Sequence, residues 1–149
     1  MGRVGAAVLW RTVSQENVEV VRRSVELWNA HGLDAIEAIA EMYHPDAEAR
    51  DLQPAPGVPE VARGRAAIVS VWRQWLEALD DWRVEVHEFI DADPWVVCDY
   101  HWHASGRGSE VPIDWRVTEA HEFKDGKVVR SLFGFPDVAA ALEAVRLAE

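Results

Sequence analysis

Apolar residues recur at two different periods along this chain, and the period changes near Trp82. Ahead of that point, Val18, Val21, Val25 and Trp28 follow a 3-4-3 spacing that places them on one face of a helix. Ser14 stands where an N-cap would, and Glu16 falls in the first turn, where the helix dipole favours negative charge. Gly32 is positioned to end this helix in the left-handed conformation. Asp34 and Glu37 then read as a capping pair for a second, short helix carrying Ile36, Ile39 and Tyr43. His44-Pro45 stops it, because the residue before a proline avoids the helical region. Residues 53–60 (QPAPGVPE) hold three prolines and a glycine, which predicts a surface loop and a candidate lid. A third helix follows Gly64, with Ile68, Val71, Trp72, Trp75 and Leu79 on its apolar side.

From Trp82 onward the period is two. Trp82, Val84 and Val86 alternate with Arg83, Glu85 and His87, the signature of a half-buried strand. Further strands are predicted over about 95–104, 111–123 and 128–135, with a turn at residues 105–109. Asp125-Gly126 suits the positive backbone angles of a two-residue hairpin turn. Pro136-Asp137 opens a terminal helix through Leu142 and Val145. Helices followed by an antiparallel meander give an α+β fold with helices on one face of a sheet. Residues 1–13 are expected to form a poorly ordered extension, leaving a single domain over 14–149.

Composition narrows the partners. The 26 acidic and 15 basic side chains give a formal charge of −11, which disfavours nucleic acid and anionic membrane surfaces. No apolar run approaches the roughly 18 residues of a membrane span. The one cysteine, Cys98, excludes an internal disulfide and Cys-x-x-Cys sites, so a cytoplasmic location is expected. Eight tryptophans against two tyrosines and four phenylalanines make indole the main source of large rigid apolar surface.

The segments SQENVEVVRRSVELWNAHGLDAI, MYHPDAEARD, GRAAIVSVWRQWLEAL, FIDADPWVV, FKDGKVVR and FPDVAAALEAV, spread over about 14–147, carry a family resemblance. The chain resembles the SnoaL-like polyketide-cyclase group of the nuclear transport factor 2-like superfamily. That resemblance implies a cone-shaped, cystatin-like α+β barrel: a curved antiparallel sheet wrapped around helices with an internal pocket. It also implies a homodimer through the outer sheet face and a small apolar ligand. Relatives include ketosteroid isomerase, limonene epoxide hydrolase, polyketide cyclases and members without activity, so the site must be argued residue by residue.

By the same resemblance, Asp51 occupies the position of the isomerase's catalytic base, where a carboxylate removes a proton next to a carbonyl. The competing use is a turn aspartate that caps a backbone amide. Tyr100 and Trp102 point into the implied pocket, as do Trp115, Val117, Glu119 and His121 on the next strand and Ser131, Phe133 and Phe135 on the last. Residues two apart share a face, which is what joins these sets. The hydrolase's Arg and Asp fall on Tyr100 and Trp102, and its second Asp falls near Phe133, which excludes epoxide hydrolysis by that triad. The isomerase's oxyanion-hole tyrosine falls near Ser24, which is too short to replace it.

The polar residues left facing inward are Asp51, Tyr100, Glu119 and His121. An imidazole with a carboxylate two residues away suits proton shuttling, and with Asp51 as base would serve cyclisation, dehydration or isomerisation of a carbonyl compound. No cofactor is called for. The rival reading is a ligand carrier or dimerisation module with the same pocket. Asp99, His101 and His103 share the opposite face; two imidazoles and a carboxylate are a metal-ligand set, but the cupin spacing is missing. Interface or surface contacts are the expected use of that row, and no metal is assigned.

Overall fold

In the computed structural model, residues 13–148 are described. The expectation of an extension over residues 1–13 lies almost wholly outside them. Helix α1 (Val13–His31) leads through a 3₁₀ turn (Gly32–Ala35) into a short α2 (Ile36–Ala40). Strands β1 (Tyr43–Asp51) and β2 (Val61–Arg63) precede α3 (Arg65–Leu76). Four long strands follow: β3 (Leu79–Ala92), β4 (Trp95–Gly106), β5 (Pro112–Lys124) and β6 (Lys127–Phe135), then α4 (Val138–Leu147). The strand order is β2-β1-β6-β5-β4-β3 in one curved sheet, which leaves β2 and β3 as free edges rather than closing into a barrel. Neighbours are antiparallel except β1 and β6, which run parallel.

Local sequence rules account for several joints. Gly32 ends α1 at φ +57°. Asp125 and Gly126 both take positive φ, so β5 and β6 meet through the tight turn that matches strand twist. Asp137 caps α4, its side chain accepting the Ala140 N–H at 2.8 Å.

Several expectations fail, among them Leu79, placed with the third helix, which opens β3 instead. Helix α1 is already running at Val13, so Ser14 lies inside it. Asp34 caps nothing with its side chain, and a 3₁₀ turn occupies its place. Tyr43 and His44-Pro45 belong to β1, not to a helix end. Pro45 is accommodated there because the β1–β6 register breaks between Tyr43 and Glu48, where a missing N–H costs no ladder bond.

The concave face of the sheet holds the main core. Val21 and Val25 of α1, Ile39 of α2 and Ile68 of α3 pack against Val84, Val96, Cys98 and Tyr100. Asn29 fixes α1 to the sheet: its side-chain amide donates to the Val84 carbonyl and accepts the Val84 N–H, each at 2.8 Å. On the outer face α4 covers only one end. Ala141 and Val145 pack there on Trp95, Val97, Ala120 and Phe135. Trp95 to Cys98 are therefore buried on both faces, and the polar alternation vanishes over that stretch.

Candidate functional site

A cavity of about 440 Å³ opens between the concave face and the helices. That size falls among small-molecule sites, which run from roughly 300 to 1,000 Å³. Its walls are mainly indole. Trp102 and Trp115 are direct partners across β4 and β5, and their rings lie 5.6 Å apart, only 7° from parallel. Trp82 joins Trp102 at 5.6 Å, and Trp28 stands edge-on to both Trp72 and Trp82. Trp28 and Trp72, which helical spacing assigns to core, also line the cavity, as does the half-exposed Trp75. The reason is geometric: the helix stripes face the sheet across a gap, not in close contact along their whole length. Gln53, Pro59 and Glu60 bring the proline-rich loop to the mouth.

The polar groups gather at one place. Glu119 and His121 both face the cavity from β5, where strand alternation predicts them, with Glu119 Oε2 lying 3.4 Å from His121 Nε2. The other imidazole nitrogen, Nδ1, lies 2.7 Å from Ser131 Oγ on β6. The Tyr43 hydroxyl stands close to Ser131. A carboxylate, an imidazole and the Ser131 hydroxyl thus run from the cavity wall into the core, with Tyr43, itself a lining residue, close by. Tyr100 lines the cavity beside it, on the same strand face as Cys98. Burial drives the Tyr43 and Tyr100 hydroxyls well above the usual tyrosine range, and the Cys98 thiol rises for the same reason. All three remain protonated at neutral pH, and the two phenols are hydrogen-bond donors.

Several predicted residues end elsewhere. Asp51 borders the cavity, but its Oδ1 accepts the Gln53 N–H at 2.9 Å, so it serves as the turn cap that opens the loop. Ser131 does not line the cavity; it is fully buried behind His121. Phe133 lines it, edge-on to His121 with centroids 5.9 Å apart, and Val117 lines it as well. Phe135 lines the cavity too, while most of its ring packs in the outer cluster under α4. Gly134 causes that division. Its φ of +97° breaks the strand alternation between Phe133 and Phe135. A Cβ there would meet Asp51 Oδ1 at 3.5 Å.

Residues 21–131 match the SnoaL-like domain family. The chain belongs to that family. No curated protein matches this SnoaL-like chain in sequence. Solved structures agree on the fold. Bal32a, from a soil-derived mobile gene cassette, is 18% identical over 89% of this chain and 98% of its own, with a TM-score of 0.71. A SnoaL-like polyketide cyclase candidate from Jannaschia sp. CCS1 is 18% identical over 91% of this chain and 95% of its own, with a TM-score of 0.69. TerC, co-crystallised with polyporic acid, is 22% identical over 88% and 98%, with a TM-score of 0.66. No helix among the described residues is long and apolar enough to cross a membrane.

Proposed function

We propose that this SnoaL-like domain binds a flat, largely apolar carbonyl compound and rearranges it by acid–base chemistry centred on Glu119 and His121. The observation that carries this reading is the carboxylate–imidazole pair set into an otherwise aromatic cavity, with Ser131 fixing the imidazole from behind. Flat indole walls favour a planar or polycyclic ligand, because stacked rings add about 0.5–1.5 kcal/mol beyond the area they bury. TerC, which shares the fold, was co-crystallised with polyporic acid.

Glu119 removes a proton next to the carbonyl. The electron pair moves onto the carbonyl oxygen, which takes a hydrogen bond from the protonated Tyr100 hydroxyl. Return of the proton from Glu119 at another carbon completes an isomerisation; alternatively the enolate carbon attacks a second carbonyl, whose π electrons move to its oxygen, and Glu119 returns the proton to that alkoxide as the ring closes. His121 steadies the charge on Glu119 in both cases. Asp51 is not the base in this scheme, since its carboxylate holds the loop amide.

A carrier with the same cavity is the competing reading, favoured by the turn-capping role of Asp51. The two separate in a tryptophan-fluorescence titration with steroid, terpenoid and aromatic polyketide ketones. Glu119→Gln should bind a quenching ligand within about threefold of wild type while losing its conversion by about 10²-fold or more. Conversion by the variant at the wild-type rate, or its absence in wild type despite tight binding, rejects the acid–base reading.

A further inference from the structure

The outer face of β3, β4 and β5 carries a second cluster of ligating side chains, on the opposite side of the sheet from the cavity. The register pairs Glu85 with His101 and His103 with Asp114. Sequence alternation groups Asp99 with His101 and His103, and the structure regroups them. Arg116 claims Asp99 through two hydrogen bonds, Nε to Oδ1 at 3.0 Å and Nη2 to Oδ2 at 2.6 Å. Asp114 of the neighbouring strand stands in its place. One carboxylate oxygen of Asp114 contacts His101 Nε2, and the other lies 3.5 Å from His103 Nδ1. The two imidazoles are stacked, centroids 4.4 Å apart and 16° from parallel.

We propose that His101, His103 and Asp114 bind a divalent transition-metal ion of the zinc class. One ligating atom from each lies within 4.8 Å of the others. Ligands about 2.0–2.1 Å from a tetrahedral ion stand roughly 3.4 Å apart, so small side-chain rotations close the set. Two imidazoles and a carboxylate suit zinc, cobalt or nickel and not the hard magnesium or calcium ions, which take oxygen.

A second observation supports a built site. With His103 Nδ1 turned toward Asp114, its other nitrogen, Nε2, lies 3.1 Å from Glu85 Oε1. A carboxylate on the far nitrogen of a ligating histidine is the usual outer partner that fixes ring orientation and tautomer. Both imidazoles remain about a quarter exposed, which gives an ion access and leaves a position for water. The ion would tie β4 to β5 where Trp102 and Trp115 project from the other face.

The test uses tag-free, chelator-treated protein titrated calorimetrically with zinc, and with cobalt followed by its visible spectrum. One equivalent should bind, with a tetrahedral-type cobalt band. His103→Ala and His101→Ala should each weaken binding at least about tenfold, and Glu85→Gln by several-fold to tenfold. His103→Gln, closer in size, serves if the alanine variant misfolds. His44→Ala, which removes an exposed imidazole elsewhere, should change nothing. Binding of wild-type strength in both histidine variants, an equal loss in His44→Ala, or no binding at millimolar zinc overturns the proposal.

Discussion

Strand β4 presents two chemistries from one stretch of backbone. Cys98, Tyr100 and Trp102 face the helices and the cavity; Asp99, His101 and His103 face outward, where they meet Arg116, Asp114 and Glu85. The inner row is apolar with a few protonated hydroxyl and thiol groups, and the outer row is ionic. A period of two therefore separates a ligand chamber from a polar lattice by the thickness of a sheet. Where α4 covers the outer face the contrast disappears, and Trp95 to Cys98 are simply core. The lesson is that what covers each face, not the strand itself, decides which rows can do chemistry.

The largest effect should come from the end where both faces are covered. Trp95→Ala removes a fully buried ring from the α4 cluster and should cost about 3–5 kcal/mol in urea unfolding. A loss below 1 kcal/mol would mean that α4 contributes little to the fold. Next, neighbours on opposite faces should differ in ligand binding. Trp102→Ala should weaken a quenching ligand about 10- to 100-fold, roughly 1.4–2.8 kcal/mol, while His101→Ala stays within about twofold. Equal losses would break the inner–outer division. Gly134→Ala forces a Cβ into positive φ beside Asp51 and should cost about 1–2 kcal/mol by the same unfolding assay.

The alkaline limb should report the inner row. Both tyrosines of the chain are buried with raised pKa, so each favours folding fully below the unfolded value near 10 and loses that contribution as pH rises above it. Absorbance at ~295 nm should thus stay flat past pH ~10 and rise only with unfolding; a normal titration in the folded protein would refute their burial. The smallest effect belongs to Asp51→Asn. Asparagine keeps an oxygen for the Gln53 amide, so stability should change by less than about 0.5 kcal/mol and ligand conversion by less than about threefold.

Much of this was legible in the sequence because it depends on neighbours along the chain. The Asp125-Gly126 turn, the Gly32 stop, the Asp137 cap and the alternation that turns Glu119 and His121 inward are all local. The misses are non-local. Tyr43 to Pro45 read as the end of a helix because only the parallel partner β6, far along the chain, makes them a strand. Three-residue β2 exists only through β1. Ser131 and Phe133 read alike by parity, yet Ser131 is sealed behind the imidazole. Phe135 is shared between the cavity and the outer cluster because the alternation breaks at Gly134, whose positive φ was the one visible signal. Trp28 and Trp72 looked like packing because helical spacing shows which side faces the sheet but not how far away it lies.

Proton exchange reports most directly on whether Glu119 acts as the base in the cavity. A ketone that quenches the tryptophans is incubated in D₂O with wild type, Glu119→Gln and Trp102→Ala at saturating protein, and deuterium next to the carbonyl is followed by NMR. Wild type should exchange that position at least about 10²-fold faster than buffer, Trp102→Ala should retain exchange once the ligand is bound, and Glu119→Gln should fall to the buffer rate. Exchange by Glu119→Gln at the wild-type rate would show that the carboxylate–imidazole pair is not the acid–base centre of the cavity.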